Sequence, residues 1–141
     1  MKLLGFSFKK ISTEKLNEKQ DLKDIKINTH MNIQDIIELD SSLFKLKDSV
    51  VNVSFSYVVE YAPNFAKLEF AGNLVLSLDS KLAKETLKGW KDKKLSEEFQ
   101  LPVLNLIIRK VNVKALALED EFNLPLHMPM PSLKKPESTG K

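Results

Sequence analysis

Apolar and polar residues alternate from the start of the chain. Over residues 3 to 11, Leu4, Phe6 and Phe8 fall on one face while Leu3, Gly5, Ser7 and Lys9 fall on the other. That period of two predicts a short strand with one buried face. Residues 12 to 24 (STEKLNEKQDLKD) carry no sustained apolar period and read as a loop or edge segment. Ile25, Ile27, Thr29, Met31 and Ile33 resume the alternation as a second strand. Its phase changes at Ile36, Ile37 and Leu39, which predicts a bulge. The third strand has the clearest pattern, with Val51, Val53, Phe55, Tyr57, Val59 and Tyr61 on one face and Asn52, Ser54, Ser56 and Glu60 on a solvated one. Ala62-Pro63-Asn64 makes a turn. Beyond it, Leu68, Phe70, Gly72, Leu74, Leu76 and Leu78 line one side of a fourth strand. So short a connection makes the last two strands an antiparallel hairpin.

The period then lengthens to that of a helix. Asp79 or Ser80 can cap a short helix over residues 81 to 91, with Ala83, Leu87 and Trp90 at helical spacing and Gly89 weakening its end. Pro102 suits the first turn of a long helix reaching about Phe122. Along it Leu104, Ile107, Ile108, Val111, Ala115 and Leu118 share one stripe, enough to cover a sheet face. A second stripe on the far side holds Leu106, Val113, Leu116 and Ala117. A helix covering a sheet in a monomer needs only the first, so the second calls for another cover, either the chain's own C-terminal segment or a second subunit. That segment, residues 123 to 131, interleaves three prolines with Leu124, Leu126, Met128 and Met130 and is expected to lie extended on the protein. The last eight residues, 134 to 141, lack apolar content and read as a disordered tail. The predicted class is α+β, a single domain over residues 1 to 133. It is a four-stranded antiparallel sheet packed against a long C-terminal helix, with a short extra helix between strand four and the long one.

Composition narrows the function by exclusion. A chain of 141 residues, 43% hydrophobic and 29% charged, fits one core. With no cysteine, disulfides, thiolate ligands and a cysteine nucleophile are excluded, and a cytoplasmic home is the simplest expectation. The apolar N-terminal start meets Lys9 and Lys10 too soon for a signal peptide, and no run approaches a membrane span. The net charge of +3 comes from lysines interleaved with acids, and Arg109 is the one arginine, so no nucleic-acid partner is expected. His30 and His127 stand far apart and in no metal-ligand spacing, and His30 falls opposite the isoleucine face, toward solvent. No metal and no cofactor are expected. Phosphate-cradling glycine motifs and a GxSxG elbow do not occur, and Glu97-Glu98 and Glu119-Asp120-Glu121 read as solvated surface, so no catalytic residue is nominated.

Apolar surface is what remains. Phe6, Phe8, Phe44, Phe55, Tyr57, Tyr61, Phe65, Phe70, Trp90 and Phe99 exceed what one helix stripe covers. The expected contacts for an apolar partner are Phe55, Tyr57, Tyr61, Phe65, Trp90, Met128 and Met130. Tyr61 and Phe65, beside the turn, and the two methionines lead as candidates for an exposed groove.

Over residues 3 to 132 this order of elements resembles the SecB family of protein-export chaperones, in particular its archaeal or otherwise divergent members. The likeness is carried by FSFKKI, INTHMNI, VVNVSFSYVVEY, LEFAGNLVLSL, PVLNLIIRKVNVKAL and the Pro-rich LPLHMPMP. The resemblance implies a dimer of dimers packed through the long helix, with Leu106, Val113, Leu116 and Ala117 at the interface. It also implies grooves that hold unfolded preproteins against apolar and aromatic side chains without ATP. Two features depart from it. The acidic sheet surface by which bacterial members dock a translocase ATPase is not matched, since Glu60 is the single acid beside Ser54 and Ser56. Residues 81 to 100, with Trp90, have no counterpart and are a candidate cover for the groove. Two alternatives stand beside the export reading: a chaperone of a toxin–antitoxin system, as some SecB-like proteins are, and a carrier enclosing a small apolar molecule between sheet and helix.

Overall fold

Residues 1–17, 22–45, 47–133 and 135 are described by the computed structural model. Strands β1 (Lys2–Lys15), β2 (Lys26–Leu39), β3 (Ser49–Ala62) and β4 (Ala66–Leu78) precede helices α1 (Ser80–Lys91) and α2 (Glu97–Glu121). The sheet is antiparallel throughout, in the order β1-β4-β3-β2, and the α+β class read from the sequence holds. The two central strands follow their alternation residue by residue. All six inward residues of β3, from Val51 to Tyr61, are buried, as are Leu68, Phe70, Leu74, Leu76 and Leu78 of β4. Each such side chain contributes about 1.5–3 kcal/mol by leaving water. Asn64 closes the hairpin at φ 47°, the left-handed geometry asparagine tolerates.

The edge strands correct the sequence reading. Of the residues read as a loop or edge segment, Ser12 to Lys15 take the second alternative: they continue edge strand β1 and pair with Glu69 to Ala66 of β4, because backbone pairing at a sheet edge asks for no apolar side chain. A register shift between Leu3 and Gly5 brings Leu3, and not the expected Leu4, in with Phe6 and Phe8 against the core. In β2 the expected bulge is present between Ile33 and Asp35, and it turns Ile36 into the core. Gly72 is required where β4 passes β1: a Cβ there would collide with the Ser7 carbonyl and lie 3.1 Å from the Phe55 ring.

Asp79 caps α1 by accepting the Leu82 amide at 2.8 Å. Its end reverses at Gly89, where the Lys94 carbonyl leaves no room for a side chain. The long helix starts five residues before the expected Pro102. Ser96 caps it, and Glu97 and Glu98 in its first turn suit the helix dipole. Pro102 is carried inside, with only the bond to the Glu98 carbonyl lost. The residues α2 buries are Phe99, Val103, Ile107, Val111, Ala115 and Glu119, one every four. Such a row drifts about 40° per step around the axis, as a helix lying obliquely on a twisted sheet requires. Leu104, Ile108 and Leu118 of the expected stripe flank this row half-buried. No helix among the described residues is long and apolar enough to cross a membrane. The expected tail, residues 134 to 141, lies outside the described residues apart from Lys135.

Candidate binding site

Beyond α2 the chain doubles back. Asn123 takes φ 55°, the Leu124 amide donates to the Glu119 carbonyl at 2.8 Å, and the Leu124 side chain is buried. The following residues then run beside the C-terminal half of the helix. Together they form an apolar groove of about 480 Å³ lined by Val113, Leu116, Ala117, Asp120, Leu126 and Met130. A second hollow of about 420 Å³, at the other end of the same helix face, is lined by Met1, Leu3, Pro102, Asn105, Leu106 and Arg109. The second stripe of α2 is therefore covered in part by the chain's own C-terminal segment. Val113 nonetheless stays 73% exposed.

Beneath the groove lies a polar cluster that the hydropathy pattern did not announce. Glu119, expected on a solvated surface, is fully buried. It is the next step of the four-residue row that runs from Phe99 through Ala115, and a carboxylate survives there because donors converge on it. The Tyr61 hydroxyl donates to its Oε2 at 2.8 Å and lies 2.6 Å from the Pro125 carbonyl, so one proton is shared between two acceptors. The His127 main-chain N–H donates to Oε1 at 3.1 Å. His127 Nδ1 lies 2.9 Å from both carboxylate oxygens, with the imidazole 5% exposed. At the far side of the ring, Nε2 lies 2.9 Å from Asn112 Oδ1, which also accepts the Tyr57 hydroxyl at 3.1 Å. The Asn112 amide nitrogen donates to Met128 Sδ at 3.2 Å. Burial, then the bond to Glu119, pushes the Tyr61 phenol well above its usual range. Burial, then the Glu119 charge, raises Tyr57 as well.

The residues expected to meet a partner are thus divided. Phe55, Tyr57, Tyr61 and Phe65 are core side chains between 0% and 5% exposed, so the exposure expected of Tyr61 and Phe65 is not found. Met128 and Met130, at 37% and 54%, are open. Trp90 is half-buried over β2, its Nε1 3.3 Å from Asp35 Oδ1 and its ring under Lys93 Nζ at 3.8 Å. Of these residues, Tyr57, Tyr61 and Met128 meet in the polar cluster and Met130 lines the groove, while Trp90 stands apart with α1. Sequence reasoning missed Glu119, Asn112 and Leu126, and weighed His127 only as a metal ligand. The available signal was spacing: Asn112 and Glu119 are seven apart on one helix face. Among the described residues no cluster of His, Cys, Asp and Glu is placed to hold a metal ion.

On the outer face of the sheet, Lys10 and Lys67 each bring Nζ within 2.6 Å of a Glu69 oxygen. Their hydrogen bonds draw the Glu69 carboxyl down to about 2. The Glu69 charge on that face is therefore already answered by two lysines.

No protein-family model matches this sequence, and no curated protein matches it. A solved structure does share its fold. It is the SecB-like chaperone Rv1957 of Mycobacterium tuberculosis, in complex with a ChAD peptide from the antitoxin HigA1. The two are 9% identical, and the alignment covers 96% of this chain and 92% of that one, at a TM-score of 0.52. At that identity the likeness is one of architecture, and the fold of this chain is SecB-like.

Proposed function

We propose that the chain is a chaperone of the holdase type, which binds extended apolar segments of unfolded polypeptides or preproteins without ATP. The observation that carries this reading is the C-terminal rim of the groove beside α2, where Leu126 and Met130 stay 39% and 54% exposed and Met128, next to them in the chain, 37%. Apolar side chains gathered in this way are a surface for another chain. Covering them yields ~25 cal/mol per Å² irrespective of the client's sequence. Methionine adapts to varied partners, which suits broad specificity. Met128 and Met130 are the first contacts in this reading. Tyr57 and Tyr61, with Phe55 and Phe65 behind them, form a floor reached when the C-terminal segment moves, and Trp90 is a separate contact on the α1 side.

The stripe Leu106, Val113, Leu116 and Ala117 is the proposed contact between subunits, with Leu126 and Met130 left at its rim for the client. The SecB-like fold supports this arrangement. A peptide from an antitoxin on the M. tuberculosis neighbour favours a second form of the same activity, service to a toxin–antitoxin pair. A cytoplasmic home goes with either. Docking of a translocase ATPase forms no part of the proposal, because Glu69 on the sheet's outer face is already paired with Lys10 and Lys67. Nor does the geometry favour a carrier of small apolar molecules: between sheet and helix, Phe55, Phe70, Val103 and Ile107 fill the space, and the hollow between β2 and α2, at Met31, Ile33, Trp90 and Leu104, is about 190 Å³ and open to solvent at Lys93 and Gln100.

The test is aggregation of a chemically unfolded client, followed by light scattering without nucleotide. Suppression at about one oligomer per client is expected. Unhindered aggregation in the presence of excess protein refutes the reading.

A further inference from the structure

Residues 124 to 130 lie over the end of α2 outside any helix or strand, tied there by Leu124, Pro125, His127 and Met128. Leu124 is buried, but Leu126, Met128 and Met130 are exposed, and Pro125 and Pro129 have no N–H to donate. The largest share of its polar contacts is made by the histidine. Both His127 nitrogens face oxygen acceptors, Nδ1 at 2.9 Å from the Glu119 carboxylate and Nε2 at 2.9 Å from Asn112 Oδ1. A neutral imidazole has one N–H and would set a lone pair against an oxygen at its other end, whereas an imidazolium donates at both. As Asn112 is placed, its oxygen accepts the Tyr57 hydroxyl and its nitrogen meets Met128 Sδ, so the ring Nε2 faces an acceptor. The groups facing Glu119 are the imidazole ring and main-chain N–H of His127 and the Tyr61 hydroxyl of β3, with Tyr57 of β3 beyond Asn112. Among the described residues, His127 is the ion-pair partner of this fully buried carboxylate. A buried carboxylate whose ion-pair partner sits on a segment outside every helix and strand is a built receptor for a cation carried on an extended chain.

We propose that the end of α2 is a peptide subsite, selective for an extended, proline-containing apolar segment that carries an imidazole or other cationic side chain. At rest the chain's own residues 124 to 130 occupy it. The proposal rests on the holdase reading for the class of client and adds to it the recognition element, Glu119 with Tyr61 and Asn112. Because the resident segment is tethered, it competes at an effective concentration in the millimolar range. A client enters when it is abundant or when the latch is weakened.

The test uses the full chain and a fluorescent peptide with the sequence of residues 123 to 131, NLPLHMPMP. A full chain carrying His127→Ala should bind this peptide about tenfold or more tightly than the unaltered chain, a change within the usual range of coupling between sites. The same variant should bind a peptide carrying His127→Leu about tenfold more weakly than the native one. Equal binding by the two chains, or of the two peptides, overturns the proposal. Should the variant fold poorly, the unaltered chain answers the same question. Saturating it with the native peptide should shift the methyl resonances of Met128 and Met130 toward those of exposed methionine and leave Met1 and Met31 in place; no movement at saturation also overturns it. Clients protected from aggregation while the peptide fails to compete would remove this inference and leave the holdase. A competing peptide with unprotected clients would do the reverse.

Discussion

Replacing Tyr61 with phenylalanine deletes one oxygen from the centre of the buried cluster and keeps the ring, which packs at 6.4 Å from Phe65. The lost proton is the one shared between Glu119 Oε2 and the Pro125 carbonyl. Hydrogen bonds to charged groups are worth about 1.5–3 kcal/mol net, and a buried acceptor left bare adds its desolvation cost. The Glu119 carboxylate keeps the His127 ring and main-chain N–H, which holds the loss of Tyr61→Phe to about 2 kcal/mol. For a chain of 141 residues that lowers the thermal midpoint by roughly 6–8 °C. Urea unfolding measures it: the midpoint should fall while the slope stays constant, since the surface exposed on unfolding hardly changes. The mechanism makes a further demand, because Tyr61 and His127 satisfy the same carboxylate. Combined with His127→Ala, the change should be non-additive by about 1 kcal/mol or more. A single-variant loss under about 0.5 kcal/mol, the range of an ordinary surface substitution, or simple additivity of the pair would refute the shared-carboxylate account.

Three more outcomes follow from other parts of the molecule. Gly72→Ala drives a methyl into the Ser7 carbonyl and against the Phe55 ring, so β1 must shift off β4 at a cost of about 1–3 kcal/mol or more, read as a lower denaturation midpoint. Val113→Asp should bring the solution mass down to the 16.1 kDa of one chain, with stability held within about 0.5 kcal/mol because the residue is 73% exposed; an unchanged mass removes α2's outer stripe from the assembly. In an alkaline titration both tyrosines of the chain, Tyr57 and Tyr61, should resist ionisation past the ordinary phenol value of about 10. The raised values favour the protonated fold, so that stabilisation is complete below about 10 and is lost as the pH climbs above it. Phenolate absorbance should therefore rise together with unfolding. A normal titration of either phenol in the folded chain would contradict the burial assigned to it.

How much of this was legible depended on whether one residue's neighbours in the chain were also its neighbours in space. The face of β3 from Val51 to Tyr61 reads directly because alternation and burial share a period of two, and the bulge near Ile36 reads as a change of phase. The polar end of β1 reads only as a loop or an edge, since an edge strand is held by backbone bonds to β4 that leave no mark on side-chain polarity. The start of α2 was misplaced because Pro102 looks like a first turn, yet Ser96 offers a cap and a helix can carry one missing bond. Glu119 is the most instructive of these. A row followed from Phe99 in steps of four through Val103, Ile107, Val111 and Ala115 lands next on Glu119; hydropathy takes that as the end of the row, geometry as its continuation. Whether the charge can stay depends on donors that the chain delivers from far away, Tyr61 from 58 positions upstream and His127 from 8 positions downstream after a reversal. No periodicity encodes that meeting. A charged residue standing on the next step of a buried row is therefore a reason to look for its donors, and here they come from two unlike places, the central strand β3 and a segment outside every helix and strand.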